Sequence, residues 1–546
     1  MKKRWLLTAL CAAVLSGFEA MACTGLLVGK KASIDGSVMI SYAADSHALY
    51  GELYRWPAAD WPQGAMLDIK EWDSGKPLGQ IPQVAHTYSV VGNMNEHQLA
   101  ITESTWGGRS ELHDKNGIMD YGSLIYVTLQ RAKTAREAIK VMTDLVAEYG
   151  YYSTGESFSI ADKNEVWIME MIGKGTGNKG AIWVAIRIPD DCISAHANQA
   201  RIQQIPFDDK ENCMYSPDVV SFAREKGYFK GKDKDFSFQK AYCPYDFGGL
   251  RGCEARVWSF FRKYDKSMDK YTDLIKGDPS KEPMPLYIKP DRKLSVQDVQ
   301  NCMRDHYEGT DLDMTKDAGA GPYKMPYRWR PMTFKVDGKK YTNERAIATQ
   351  QTGFVIVPQL RNWLPDTVGG ILWFAVDDAD MTVFNPIYCS TLDSPECYRV
   401  GNGDMMTFSW TSAFWIHNWV ANMAYHKYSY MIQDIRKVQQ ELENGYQDKL
   451  PAIDAAAMKL YEKDPAEAAK FLTWFSTTTA DDATARWKKL GEYLIVKYID
   501  GNVKREENGQ FKRNPYGLSS YPTSPGYDEE YYRSIVRSAG ERLQVK

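Results

Sequence analysis

The chain has 546 residues, of which 44% are hydrophobic and 25% are charged, and its formal net charge is −3. This size and composition indicate a water-soluble globular protein larger than one small domain. The slightly acidic balance argues against nucleic acid or an anionic membrane surface as the main partner. The 24 Pro and 41 Gly follow no period, which excludes a collagen-like or low-complexity chain.

The first 22 residues predict a secretory signal peptide. Three basic residues at positions 2–4 precede the apolar run 5–15, which is too short to span a bilayer. The Ala-Met-Ala sequence ending at Ala22 then has the small side chains that signal peptidase recognises. We therefore expect a secreted or periplasmic protein that begins at Cys23 after cleavage.

A cysteine at a new N-terminus combines a thiol with a free α-amine, which titrates near pH ~8. The amine can take the thiol proton and later return it to a leaving group, as in N-terminal nucleophile enzymes. Three interpretations of Cys23 remain open from this position alone. It is a catalytic nucleophile, a site of lipid attachment, or an ordinary structural cysteine.

Short strands in hairpins dominate the chain from residue 24 to about residue 193. The first hairpin is predicted from 24–30, through a turn at Asp35-Gly36, to 38–42. A second hairpin is predicted from 88–92 to 99–104.

Between residues 123 and 149 the apolar period changes to that of a helix. Thr134 and Glu137 have capping-box spacing within this segment, and Gly150 ends it. Strands are predicted to resume at 157–161, 166–172 and 181–188.

The segment 206–327 is rich in Tyr, Gly, Pro and Lys and predicts a loop-rich insertion with one clear helix, which begins after Ser295. Strands are expected again at 352–357 and 370–376.

After about residue 410 the pattern is helical to near residue 500. Asn418 and Asn422 interrupt its apolar stretch, which argues against a membrane span. We therefore expect a signal peptide over 1–22, a core over 23–409 and a helical C-terminal region over 410–546 packed on that core. The sequence leaves open whether the protein forms a homo-oligomer.

Eight of the nine cysteines lie beyond the signal peptide. An extracytoplasmic compartment permits disulfides, but their pairing cannot be deduced from spacing. No C-x-x-C or paired His-Cys spacing predicts zinc.

Common cofactor and catalytic motifs are absent. The glycines at 175, 177 and 180 match a dinucleotide fingerprint in spacing, but the segment lies between two strands and no helix follows, so we predict a hairpin loop. The sequence contains no Walker A loop, H-E-x-x-H or G-x-S-x-G.

Three polar residues are weak candidates by position. Asp45 follows the returning strand of the first hairpin, so its carboxylate is expected beside Cys23, where it would hold an ammonium group. Asn198 follows a strand and can donate to an oxyanion. Arg256 is equally consistent with a structural ion pair, and Asp45 with an ordinary turn.

Four segments together resemble one family. Cys23-Thr-Gly-Leu-Leu-Val-Gly-Lys-Lys-Ala-Ser-Ile-Asp-Gly-Ser resembles the opening of the C69 (dipeptidase A type) cysteine peptidases. The same likeness is found in Gly92-Asn-Met-Asn-Glu-His-Gln-Leu-Ala-Ile, Ala195-His-Ala-Asn-Gln-Ala-Arg-Ile and Arg256-Val-Trp. The likeness covers about residues 23 to 410. This family belongs to the N-terminal nucleophile hydrolases, alongside penicillin V acylases and bile salt hydrolases.

The resemblance implies an α+β fold, a four-layer αββα sandwich in which two antiparallel sheets stack face to face with helices outside. It also implies roles for individual residues. Cys23 is the nucleophile and its own amine the base, Asp45 orients that amine, Asn198 is an oxyanion donor, Arg256 lies near the nucleophile, and Thr105 is a second polar residue near the oxyanion.

One position departs from the family. Many members have an Arg-Asn-Glu-Asp run where this chain has Tyr42-Ala-Ala-Asp45. Tyr42 therefore replaces the usual arginine, and we expect it to contact the substrate. Glu103 or Asp45 is expected to anchor the free amine of a substrate.

The sequence thus predicts a secreted cysteine peptidase that hydrolyses short peptides, most simply dipeptides, without a metal or organic cofactor. A non-peptide amidase acting on bile salts or penicillins is an alternative within the same scaffold. A lipid-anchored binding protein, with Cys23 consumed as a thioether, is an alternative outside the enzymes.

Overall fold

The computed structural model describes residues 23–545 and shows an α+β protein built on two large antiparallel sheets. The predicted signal peptide lies outside the described residues. Each sheet has eight strands, and all neighbouring strands within the two sheets are antiparallel.

Sheet I contains the first strand after Cys23. Its strands, in spatial order, are Tyr287–Ile288, Ile193–His196, Gly25–Val28, Val38–Ile40, Thr352–Leu360, Gly370–Val376 and Asn385–Tyr388, and Tyr42–Asp45 also pairs with Thr352–Leu360. The predicted first hairpin is confirmed, because Leu27 pairs with Ile40 and Gly36 turns the chain with a φ of 87°. An added bridge from Thr24 to Ala43 brings the start of this strand against Tyr42–Asp45.

Sheet II is formed by the chain between residues 55 and 215. Its strands, in spatial order, are Cys213–Tyr215, Ala181–Ile188, Val166–Gly173, Gly155–Ala161, Ala100–Trp106, Met94–Asn95, Val90–Val91 and Arg55–Trp56. The segment 174–180 joins two of these strands, which confirms the predicted hairpin loop, and its three glycines all have positive φ.

Smaller elements surround the sheets. Four two-stranded ribbons pair Ala59–Asp60 with His86–Thr87, Met66–Lys70 with Pro77–Pro82, Thr333–Val336 with Lys339–Thr342, and Glu506–Glu507 with Gln510–Phe511. The α-helices of the described chain are Tyr121–Leu129, Ala135–Tyr149, Ser221–Glu225, Phe238–Tyr242, Ala255–Tyr264, Thr272–Ile275, Val296–Met303, Asp366–Gly369, Ala413–His426, Tyr428–Tyr461, Pro465–Lys497 and Glu529–Ala539.

Three apolar clusters hold these elements together. One contains side chains of both sheets, such as Leu27 and Ile40 of sheet I with Ala100 and Ile168 of sheet II. A second joins sheet I to helices that include the long C-terminal ones. The third joins sheet II to the helices Tyr121–Leu129 and Ala135–Tyr149. Burial of apolar surface on both faces of each sheet stabilises this arrangement.

The predicted helix over 123–149 is two helices. Thr134 caps the second by accepting a hydrogen bond from the Glu137 N–H, and Gly150 ends it, as expected. The first ends at Leu129, where the buried Asn95 amide donates to the carbonyls of Leu129 and Ala132, 2.8 Å away in each case. A side chain from a distant strand therefore satisfies the carbonyls at the helix end.

The segment 206–327 contains the helix predicted after Ser295, which has a complete capping box with Asp298. It also contains a ten-residue helix, Ala255–Tyr264, that the sequence analysis did not predict. A π-helical turn at residues 249–254 leads into this helix. Among residues 23–545, no helix combines the length and apolar character needed to cross a membrane, and each of the eight cysteines is a free thiol.

Replacing Gly25 with alanine is expected to destabilise the fold. A Cβ at Gly25 would lie 2.7 Å from the His196 ring, which is fixed between two hydroxyl groups. Overpacking of this kind costs about 1–3 kcal/mol. Urea denaturation should show this loss for G25A, whereas G107A, whose Cβ meets nothing within 4 Å, should change stability by less than about 0.5 kcal/mol. Equal stability of the two variants would contradict the close approach at Gly25.

Candidate active site

Cys23 lies between the two sheets, where its buried thiol meets a carboxylate. It precedes the strand Gly25–Val28 of sheet I, whereas Glu103 belongs to a strand of sheet II. The thiol Sγ lies 3.4 Å from Glu103 Oε1 and 3.7 Å from the Tyr42 hydroxyl oxygen. The Tyr42 hydroxyl also donates a hydrogen bond to Glu103. Three of the predicted site residues are therefore in direct contact.

The surroundings of Cys23 favour the neutral thiol. Burial raises its pKa well above the ordinary value, and the charges of Glu103 and Asp45 raise it further. A nucleophilic thiolate here needs a base and a nearby positive charge.

Arg256 connects the chain start to the segment after His196. Its Nη1 donates to the Cys23 carbonyl at 2.7 Å and to Thr24 Oγ1 at 2.8 Å. Its Nη2 donates to the Ala197 carbonyl at 3.1 Å and to Asn198 Oδ1 at 2.8 Å. The guanidinium is almost fully buried, so these hydrogen bonds are shielded from water.

Asn198 is held in one orientation by its neighbours. Its backbone has a φ of 59°, a left-handed conformation that asparagine adopts more readily than most residues. Its Nδ2 donates to the Thr105 carbonyl at 2.5 Å, and its backbone N–H donates to Ser104 Oγ at 3.2 Å. With Oδ1 on Arg256, the side-chain amide is fixed at both ends.

Asp45 is buried near Cys23 but also pairs with residues from a distant part of the chain. Arg345 forms an ion pair with its Oδ2, and Thr352 donates to its Oδ1 at 2.6 Å. Burial raises the pKa of this carboxyl, and Arg345 opposes that rise. Sequence reasoning missed Arg345 and Thr352, because no local spacing links them to Asp45.

Thr105 is connected to the Cys23 site through neighbouring residues. Its hydroxyl donates to Glu156 Oε2 at 3.1 Å, and within the described chain it makes no hydrogen bond to Cys23. Its carbonyl is the group that contacts Asn198. The structure therefore brings Thr105 to the site through Asn198 and Glu156.

Glu156 is a further acidic residue that sequence reasoning missed. It is fully buried, and burial, followed by the charge of Glu103, raises its pKa well above the ordinary value. Glu103 Oε2 and Glu156 Oε1 are buried, and neither has a hydrogen-bond partner in the described chain. The raised pKa of Glu156 favours its neutral form, which reduces its repulsion with Glu103. No sequence motif marks this pair, since its members lie on separate strands.

His196 links the two sheets beneath the site. Its ring nitrogens lie 2.7 Å from the hydroxyls of Ser104 and Ser159, both on sheet II. Burial lowers its pKa to about 3, and the charges of Arg201 and Arg256 act in the same direction. The imidazole is therefore neutral at physiological pH and serves to position Ser104, which in turn contacts Asn198.

The matching family model and the similar proteins are all peptidases by name. The sequence model of peptidase family C69 matches residues 22–55 and 53–441. A "Probable dipeptidase" of Latilactobacillus sakei is 29% identical over 477 residues, which are 83% of this chain and 91% of that protein. A "Probable dipeptidase" of Salmonella dublin is 28% identical over 397 residues, 68% of this chain and 81% of that protein. "Dipeptidase A" of Lactobacillus helveticus is 24% identical over 449 residues, 78% of this chain and 85% of that protein.

The neutral His196 is expected to make stability depend on pH. The folded protein protonates this ring only near pH 3, whereas the unfolded chain does so near pH 6.5. The stability that the neutral ring contributes is therefore fully present above pH 6.5 and is lost as the pH falls towards 3. Within this range the free energy of unfolding changes by about 1.4 kcal/mol per pH unit. Urea denaturation between pH 6 and 4 should show a shallower slope for H196Q than for the parent, and an unchanged slope for the exposed control H86Q. An unchanged slope in H196Q would contradict a neutral His196.

Proposed function

Because the chain belongs to peptidase family C69, we propose that it is a secreted cysteine dipeptidase whose nucleophile is Cys23. The observation that carries this proposal is the cluster at the start of the first strand. There the buried Cys23 thiol lies beside Glu103, Tyr42 and Asp45. The Arg256 guanidinium donates a hydrogen bond to the Cys23 carbonyl. The dipeptidase names of the relatives support a short peptide as substrate.

The mechanism requires cleavage after Ala22. Within the full chain the Cys23 nitrogen belongs to a peptide bond and has no basic lone pair. Cleavage turns it into an α-amine that titrates near pH ~8 and can take the thiol proton. The resulting ammonium charge also offsets the negative charges that raise the thiol pKa. Asp45 orients the amine, and Arg345 and Thr352 hold Asp45 in place.

Hydrolysis then follows in two stages. The Cys23 thiolate attacks the substrate carbonyl, and the Asn198 amide with a backbone N–H stabilises the oxyanion. The ammonium gives its proton to the leaving amine, which departs as the C-terminal amino acid. Water, activated by the same amine, hydrolyses the thioester and releases the N-terminal amino acid. Arg256 positions both the nucleophile and the oxyanion donor, because it binds the Cys23 carbonyl and Asn198 Oδ1.

The layering of the fold supports the same assignment. Helices cover the outer face of each sheet, and a shared apolar cluster joins the inner faces. We assign this arrangement to the αββα sandwich of the N-terminal nucleophile hydrolases. The core is assigned to residues 23–409, and the helices of 410–546 form the region packed on it.

Replacing Cys23 should abolish hydrolysis. C23A is expected to lower kcat/KM for dipeptides by at least about 1000-fold, because no other group forms the acyl intermediate. C192A, which removes a buried thiol elsewhere, should stay within about twofold of the parent enzyme. Full activity in C23A would contradict the assigned nucleophile.

The intact mass of protein recovered from its native compartment provides the matching control. A mass equal to residues 23–546 would establish a free N-terminal cysteine. A mass raised by a diacylglyceryl group, or a chain that still begins at Met1, would contradict the mechanism. If the mass is correct but bile salt or penicillin amides are cleaved and dipeptides are not, the substrate assignment is wrong.

Glu103 is expected to bind the free α-amine of the substrate. Its carboxylate contacts Cys23 Sγ, and the α-amine of a peptide is only two bonds from the attacked carbonyl carbon. Free dipeptides should react at least about tenfold faster than N-acetyl dipeptides, since a charge-assisted hydrogen bond is worth about 1.5–3 kcal/mol. E103Q should reduce this ratio, whereas the exposed control E148Q should not. Equal rates for free and acetylated substrates would contradict this role.

A further inference from the structure

A small cavity lies beside Tyr42, a direct neighbour of Cys23. Five of its eleven lining residues are aromatic, namely Tyr42, Trp72, Tyr121, Tyr126 and Phe354. Ser46, Leu49, Asp73, Asn93, Gly122 and Ile125 complete the lining. The cavity has a volume of about 30 Å³, enough for roughly two water molecules or one ammonium group.

Tyr42 places this cavity next to the nucleophile. It lines the cavity, and its hydroxyl oxygen lies 3.7 Å from Cys23 Sγ. Its ring packs edge-on against Phe354, with 5.6 Å between centroids. A substrate whose carbonyl lies at Cys23 therefore has the cavity within reach of its N-terminal residue.

Asp73 is the one charged residue among those that line the cavity. Part of its side chain reaches solvent, whereas Tyr42 on the same lining is buried. The Tyr121 hydroxyl donates to its Oδ1 at 2.9 Å, which fixes the carboxyl against the aromatic wall. Its pKa is raised to about 6, first by desolvation and then by the charges of Glu103, Asp120 and Glu71. A positive charge bound here would relieve this accumulation of negative charge.

Aromatic faces and a carboxylate together favour an organic cation. The negative face of an aromatic ring attracts an ammonium group by about 0.5–2 kcal/mol. A neighbouring carboxylate adds a charge-assisted hydrogen bond.

We infer that this cavity binds the side-chain ammonium of a basic N-terminal residue in the substrate, with Asp73 as its counter-ion. The inference rests on the proposed function, since the substrate is taken to be a short peptide cleaved at Cys23. The α-ammonium is assigned to Glu103, which contacts the thiol directly. Asp73 is the carboxylate of the cavity lining and is therefore left to pair with the side-chain ammonium.

Matched substrates test this selection. Lys-Ala and norleucine-Ala have side chains of nearly the same shape, and they differ in the terminal ammonium. The parent enzyme should prefer Lys-Ala by about tenfold in kcat/KM, equivalent to about 1.4 kcal/mol. D73N should lose about tenfold on Lys-Ala and less than twofold on norleucine-Ala. E71Q removes a neighbouring charge outside the cavity lining and should leave both values within twofold.

Three results would overturn the inference. One is no preference for Lys-Ala in the parent enzyme. Another is an equal loss on both substrates in D73N, which would assign Asp73 to the α-ammonium or to the fold. The third is an equal effect of E71Q and D73N, which would indicate a general electrostatic field in place of a pocket.

Binding without catalysis separates this inference from the proposed function. Lysinamide and norleucinamide can be titrated calorimetrically into C23A and into C23A carrying D73N. If no dipeptide is hydrolysed by the parent chain but lysinamide binds at least about tenfold tighter than norleucinamide, and D73N removes the difference, the cation site holds and the dipeptidase assignment fails. If dipeptides are hydrolysed but the two amides bind equally, the dipeptidase assignment holds and the cation site is wrong.

Discussion

The guanidinium of Arg256 is the interaction on which the site depends. It extends from the helix Ala255–Tyr264 and is buried, and it binds the Cys23 carbonyl, Thr24, the Ala197 carbonyl and Asn198. A buried charge is stable only when its donors are satisfied, and here the partners are the groups that the proposed reaction needs to keep in place. The fold around Arg256 and the geometry around Cys23 therefore constrain each other.

Negative charge is the second organising feature of the site. Glu103, Glu156 and Asp45 are buried near one thiol. The ion pair of Asp45 with Arg345 reduces their repulsion, and so does the raised pKa of Glu156, which favours the neutral carboxyl. A region of this kind disfavours a thiolate in the uncleaved chain. It would favour one once an ammonium group is created at residue 23, so cleavage and activation become the same event in the proposed mechanism.

Local patterns predicted the elements well, and they predicted the contacts between elements poorly. Alternation located every strand of seven or more residues in both sheets, and capping residues such as Thr134 and Ser295 marked helix starts, because these signals lie within a few residues of one another. The break after Leu129 was missed, and the carbonyl there is satisfied by Asn95, a residue of a distant strand. Arg345 and Glu156 were missed because no spacing connects them to Cys23. The candidate site residues came from family resemblance, and their roles stay predictions.

The strand order of sheet I has a consequence for synthesis. The strand Val38–Ile40 lies between Gly25–Val28 and Thr352–Leu360, so adjacent strands come from opposite parts of the chain. At about 5–20 residues per second, a ribosome needs roughly 15–60 s to pass from the first strand to this partner. A nascent chain that stops before Arg345 contains Cys23 but lacks both Arg345 and Thr352, the two groups that hold Asp45. Partial translation products thus carry a reactive residue without the geometry that would make it a hydrolase.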